Sequence, residues 1–250
     1  PVIAAIFRDR LGVLWIGTQE GLYKFDGANL VLFNSDGNNE NWIPSSDIRG
    51  IAEDGDGTLL VATYGGGLLR WDTITNAFVP SRYLNSDEDY QLTYLHVANG
   101  GNIWTGTKDK IIRYSKDFHF SANWHGVPDI TKTVGTPYTF IEVESGELIV
   151  GSSFGLAKLS NHNKTVTKYD LSPLGIQGYF GVTAIELDIA GNLLIGTDTG
   201  DLAVLDLASG IVVAHATLGR NSPKLVSDFA FHGDKLLIAT DEGLYLSDTD

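Results

Sequence analysis

Nine side chains of this 250-residue chain have types that recognise ligands and lie between hydrophobic runs: Trp42, Tyr64, Lys108, Tyr138, Phe154, Tyr179, Phe180, Asp198 and Glu242. Aromatic rings offer flat apolar faces with polar tips. Set beside a lysine and carboxylates, they suit a saccharide or another polar ring held by stacking and hydrogen bonds. These nine form the candidate ligand-binding set, with Trp42, Tyr138, Tyr179 and Phe180 as its lining. The competing reading is that such aromatics cap the ends of sheets or make a dimer contact.

Other chemistries find little support. Asp54-Gly55-Asp56-Gly57 lacks the alternating oxygen ligands and closing glutamate of a calcium loop, so a hairpin turn is expected there. The six histidines are scattered, with His119 and His125 in or beside one strand and no pair at metal-ligand spacing. The chain has no cysteine, hence no disulfide, thiol nucleophile or thiolate site. No serine stands in a Gly-x-Ser-x-Gly elbow. The expectation is therefore no catalytic residue, no metal and no cofactor. A net charge of −14 argues against nucleic acid or an anionic membrane as partner. No apolar run is long enough to cross a bilayer.

What positions the nine residues is a repeat. Gly17-Thr18 closes a hydrophobic run and returns as Ala62-Thr63, Gly106-Thr107, Gly151-Ser152, Gly196-Thr197 and Ala239-Thr240, at intervals of 45, 44, 45, 45 and 43 residues. That period is the size of one four-stranded propeller blade, at roughly 40–45 residues. Each unit reads as four short strands rich in β-branched and aromatic residues, separated by Gly, Asp and Asn turns. Short connections make them antiparallel meanders. The chain thus reads as an all-β propeller of six blades at about 3–36, 47–84, 94–124, 138–171, 182–218 and 226–250, in one domain. The last blade holds only three strands. With no initiator methionine, the chain is expected to be a segment of a longer propeller of seven or more blades. The alternative is a tight six-blade ring with an imperfect last blade. The Gly-Thr pairs, Asp9, Asp26, Trp15 and Trp104 read as packing and turn residues rather than chemistry.

The motif Asp9-x-x-Gly12-x-Leu14-Trp15-Ile16-Gly17-Thr18-x-x-Gly21-Leu22-x-x-Phe25-Asp26 resembles the two-component regulator propeller repeat. So do Glu53-Asp54-x-Asp56-Gly57-x-Leu59-Leu60-Val61-Ala62-Thr63 and the linking stretch Trp42–Arg49. Blade 3 departs at Lys108-Asp109-Lys110, and blade 4 at the tryptophan position, where Leu148 is read. The resemblance implies the extracytoplasmic, periplasmic sensor part of a bacterial inner-membrane signalling protein, with a histidine kinase or diguanylate cyclase output elsewhere. It implies binding of a small molecule, often a saccharide, and no enzyme activity in this region. A protein-interaction or homodimerisation platform, or a propeller lactonase or lyase, are the other functions such a chain could serve.

Overall fold

Twenty-three strands account for nearly all the regular structure of the computed structural model, which describes residues 3–37, 40–80, 90–98, 100–108, 110–114, 120–123, 134–160, 165–174, 180–218, 224–232 and 235–248. They form two compact units, Pro1–Gly126 and Val127–Asp250. In the first, blade 1 is β1 (Ile3–Arg8), β2 (Leu14–Thr18), β3 (Gly21–Phe25) and β4 (Leu30–Phe33). Blade 2 is β5 (Ile48–Glu53), β6 (Leu59–Thr63), β7 (Gly67–Asp72) and β8 (Ala77–Pro80). Blade 3 is β9 (Tyr94–Val97), β10 (Ile103–Gly106), β11 (Ile111–Tyr114) and β12 (Phe120–Asn123).

The second unit holds blade 4, with β13 (Pro137–Glu142), β14 (Leu148–Ser152), β15 (Gly155–Ser160) and β16 (Thr165–Lys168). Blade 5 is β17 (Val182–Leu187), β18 (Leu193–Thr197), β19 (Asp201–Asp206) and β20 (Ile211–Thr217). Blade 6 is β21 (Val226–His232), β22 (Lys235–Thr240) and β23 (Gly243–Asp248). Each sheet is an antiparallel meander in chain order, so the all-β propeller-blade reading holds, and blade 6 has three strands among the described residues. A short 3-10 turn covers Ser172–Leu174.

The repeated Gly-Thr has two separate structural tasks. The threonine hydroxyl closes the turn between the second and third strands. Thr18 Oγ1 donates to Gly21 O at 2.9 Å and accepts from Glu20 N at 3.0 Å, and Thr63, Ser152 and Thr240 make the same hydroxyl-to-carbonyl bond. The glycine makes room for the first residue of the next innermost strand. A Cβ on Gly17 would lie 2.5 Å from Ile48 Cγ2, on Gly151 2.7 Å from Val182 Cγ1, and on Gly196 2.4 Å from Val226 Cγ1. Ile48, Val182 and Val226 are fully buried at these blade contacts.

Carboxylates hold the other turns. Asp9 Oδ1 accepts Leu11 N and Val13 N, while its Oδ2 accepts Trp15 Nε1 at 2.9 Å. Asp54 Oδ1 takes Asp56 N and Thr58 N, so Asp54–Gly57 is the expected hairpin turn. Asp26 accepts Asn29 N and Ala28 N, and these bonds lower its carboxyl to about 2. Asp72 and Asp206 repeat the arrangement with the same direction of shift.

The cores lie between adjacent blades. Between blades 1 and 2, Trp15, Phe33, Trp71 and Phe78 pack with ring centroids 4.9–6.1 Å apart, mostly edge-on. Lys24 Nζ lies 5.4 Å from the Trp15 ring centroid and 5.3 Å from that of Trp71. Trp15 and Trp104 are buried as expected. Register corrects one assignment. Gly17 pairs with Ala5 and Trp15 with Phe7, while Gly151 pairs with Thr139 and Ile149 with Ile141. Ile149, not Leu148, therefore stands at the place of Trp15. Every residue of β14 is buried, so its continuous apolar run carries no alternation from which register could be read.

Candidate functional site

Register decides which loops share an end. Ile48, which opens β5, pairs with Thr63 at the end of β6, and Thr63 in turn pairs with Gly67 at the start of β7. The segments leading into innermost strands and the turns between second and third strands therefore lie at one end of each blade, where the nine candidates were placed.

At this end the innermost strands carry a one-residue bulge, at Ala4, Arg49, Tyr138, Thr183 and Ser227; β9 pairs without one. A bulge leaves its residue outside the ladder and re-aims the side chain. Thr183 spends that freedom on structure, its hydroxyl donating to Val226 O at 2.6 Å. Arg49 does not. Its Nη2 pairs with Asp47 Oδ2 at 2.7 Å, and its guanidinium lies 5.3 Å from the Tyr64 ring centroid. Arg49 Nε, Asp47 Oδ1 and Thr93 Oγ1 are buried without a hydrogen-bond partner. Unsatisfied buried polar atoms carry a desolvation cost of roughly 1–3 kcal/mol each, so three in neighbouring strand starts are conspicuous.

Around this pair in the first unit, Ser45 Oγ donates to Tyr64 O at 2.7 Å, and Tyr64 N donates to Asp47 O at 2.8 Å. The Tyr64 hydroxyl donates to Gln91 Oε1 at 3.1 Å, and Gly65 N to Tyr90 O at 2.8 Å. Tyr64 is thus tethered at both ends and is 42% exposed. Trp42 is 48% exposed on the segment entering blade 2, bridged through its backbone to Asn34. Lys108 is exposed in the turn after β10.

In the second unit, Tyr138 and Asp198 meet across Gly181. Gly181 N donates to Asp198 Oδ1 at 2.9 Å, and a Cβ there would lie 2.8 Å from Tyr138 Cε2 and 3.0 Å from Asp198 Oδ2. Tyr138 belongs to β13 rather than to a loop, and its bulge keeps it exposed. Phe180 is half-buried against the apolar cluster of blades 4 and 5. Phe154 is exposed with Lys168 Nζ 5.9 Å from its ring centroid. Glu242 accepts from Lys224 Nζ; that carboxylate, then the Tyr245 hydroxyl, hold the ammonium above its ordinary range. Tyr179, His119 and His125 lie outside the described residues. Among the described residues no three His, Asp or Glu side chains converge to hold a metal ion.

Sequence reading missed Asp47, Arg49 and Gln91. The available signal was the second residue of the five bulged innermost strands, which changes from alanine to arginine, tyrosine, threonine and serine.

No protein-family model matches the chain, and neither does any curated protein. Solved structures do. The extracellular domain assigned to the hybrid two component system BT3049 of B. thetaiotaomicron matches at 23% identity and TM-score 0.78, over 98% of this chain and 33% of that one. The extracellular domain assigned to hybrid two component system BT4673 of the same organism matches at 19% identity and TM-score 0.79, over 98% and 35%. Virginiamycin B lyase from Staphylococcus aureus matches at 12% identity and TM-score 0.73, over 97% and 78%. The chain spans about a third of the two extracellular domains. These domains come from the signalling class to which the repeat motif bears its resemblance. At such identities the common property is the fold: this chain is built of the β-propeller blades seen in those extracellular domains.

Proposed function

We propose that this chain is an extracytoplasmic, non-catalytic ligand-sensing propeller region of a bacterial signal-transduction protein. It binds a small molecule with several hydroxyls, a saccharide being the fitting class, at the loop end of its blades. The observation that carries the reading is the Asp47–Arg49 pair at the β5 bulge beside Tyr64. There a tethered aromatic face adjoins a guanidinium–carboxylate pair whose side chains are both part-exposed. Stacking against a ring and charge-assisted bonds to hydroxyls are the two contacts a sugar needs. Trp42 and Lys108 of the same unit remain candidate contacts, and Tyr138, Phe154 and Asp198 form a separate candidate set in the second unit. The likeness to extracellular domains of signalling systems supports the location and the sensing role. A lyase shares the fold, so turnover is followed alongside binding.

The test is calorimetric titration with a panel of mono- and oligosaccharides, with products followed chromatographically. Saturable binding without conversion, weakened at least tenfold by Tyr64→Ala and by Arg49→Ala, is expected. A flat response across the panel, or affinity untouched by both variants, would overturn the assignment.

A further inference from the structure

A pocket of about 600 Å³ opens between blades 4 and 5 at the opposite end, lined by the turns between first and second strands. Glu144, Glu147, Ile149, Lys158, Tyr169 and Leu187 are among its walls. Volumes of about 300–1,000 Å³ are typical of small-molecule sites.

The matching place between blades 1 and 2 is filled, and register shows by what. Trp15 pairs with Lys24, and Ile149 with Lys158. Phe33 pairs with Leu22, and Tyr169 N bonds the equivalent Leu156 O. Trp71 pairs with Phe78, and Leu205 with Val212. The box of Trp15, Phe33, Trp71 and Phe78 thus becomes Ile149, Tyr169, Leu205 and Val212. Three of its four rings are replaced by aliphatic chains, while the lysine and one aromatic wall remain.

The mouth changes in the same sense. In the first unit Arg10 straps the two turns together, with Nε 3.0 Å from Glu53 Oε1 and Nη2 3.0 Å from Asp54 O. Glu144 stands at the place of Arg10 and Leu187 at that of Glu53, as their turn bonds and registers require. Neither can form the strap, and Ile189 beside them is fully exposed at the rim. Lys24 lies over two tryptophan rings, whereas Lys158 Nζ pairs with Glu147 Oε1 at 3.2 Å, a carboxylate also bonded by Ser145 Oγ.

We infer that this pocket binds a small planar aromatic molecule, neutral or cationic, whose ring takes the place that the tryptophan rings occupy between blades 1 and 2. Its ring faces Ile149 and the Tyr169 wall beneath the Lys158 ammonium, and an N–H or O–H on the ring donates to Glu147. Burial, then the Glu147 charge, keep the Tyr169 hydroxyl protonated as a donor to the same guest. Glu144, Glu147 and Asp188 against the single Lys158 disfavour an anionic ring.

Calorimetry or ligand-observed NMR with indole, and with the matched pair p-cresol and 4-methylcyclohexanol, tests this. Indole and p-cresol should bind saturably, with 4-methylcyclohexanol at least tenfold weaker. Ile149→Trp, which refills the pocket, should abolish binding while leaving the thermal midpoint unchanged or raised. The pair Glu144→Arg and Leu187→Glu, which rebuilds the strap, should weaken binding at least tenfold and serves should the tryptophan variant fail to fold. No saturable binding, equal binding of the saturated alcohol, or binding that survives refilling in a folded variant would each overturn the inference.

Discussion

Gly196→Ala combined with Val226→Ala measures whether the glycine of the repeat exists to admit the next blade. In the single variant, the new Cβ falls 2.4 Å from Val226 Cγ1 and 2.7 Å from its Cβ, with Phe229 Cζ at 3.0 Å. Carbon pairs rest at about 3.5–4.0 Å, so strand β21 must retreat by about 1 Å or Val226 must leave its rotamer. Overpacking of this kind costs about 1–3 kcal/mol. Val226→Ala alone removes two methyl groups from a fully buried position, about 2 kcal/mol of transfer free energy with a cavity contribution added. In the double variant the 2.4 Å clash with Cγ1 is removed while the 2.7 Å approach to the Cβ of residue 226 remains, so part of the strain is relieved. The two losses should therefore fall short of additivity by about 1–2 kcal/mol, a coupling expected only for residues in contact. Urea unfolding of the four proteins, followed by far-UV circular dichroism, gives the cycle. Gly196 shows no positive φ, so alanine brings no backbone strain to confuse the result. Additivity within about 0.5 kcal/mol would refute the claim that this glycine is a spacing device.

Two further predictions concern protons. Burial lowers His96, on innermost strand β9, from 6.5 to about 4. The unfolded chain then takes up this proton first, so stability falls as pH drops from about 6.5 towards 4, by about 3 kcal/mol at 1.36 kcal/mol per unit. Urea unfolding of the native protein against His96→Leu across that range should show the difference between them changing with pH, and parallel curves would count against a buried neutral imidazole. Glu186, on β17, is raised by burial and then by Asp228, against a lowering bond from Leu187 N. Its folded-state value lies above the unfolded one, so the penalty is absent at low pH and grows as pH rises through the folded value. Glu186→Gln should raise the thermal midpoint at pH 8 and leave it nearly unchanged at pH 4, and a variant less stable at pH 8 would reverse the argument.

The blades were legible because their punctuation answers to backbone needs that few residues meet. Gly12, Gly57, Gly146 and Gly191 stand at positive φ in equivalent turns, and Asp9, Asp54 and Asp188 supply the carboxylate that closes three of them. The turn glycine, Gly101 included, recurs in each of the first five repeats and can be counted. The candidate end was legible only in outline. Loop aromatics could be assigned to one end of each blade, but Phe180 packs against the core as much as it faces outward, and Tyr138 sits on a strand. Arg49 went unread because a bulge inserts one residue without disturbing the apolar pattern on either side. Its salt-bridge partner Asp47 looked like part of the linking motif, and nothing local shows that both keep unpaired atoms.

Divergence between repeats carries different information depending on whether it is single or concerted. A lone change such as Ala62 at a glycine position leaves the residue fully buried in a continuous apolar cluster. Between blades 1–2 and blades 4–5, five equivalent places change together. Trp15, Trp71 and Phe78 become aliphatic, and both ends of the Arg10–Glu53 strap are replaced by residues unable to pair. Each ring lost forgoes the burial of a large aromatic surface and its edge-on contacts, about 0.5–1.5 kcal/mol per pair beyond area alone. If stability alone shaped the interface, larger aliphatics, a shorter turn or a shift of strands would be expected to close the gap. Instead the cavity keeps the lysine at the place of Lys24 and an aromatic wall at that of Phe33, and Glu147 adds a bonded carboxylate where the first unit has Val13. A cavity that retains the lysine of an aromatic box, gains a carboxylate beside it and omits three of the four rings is better explained by a guest than by relaxed packing.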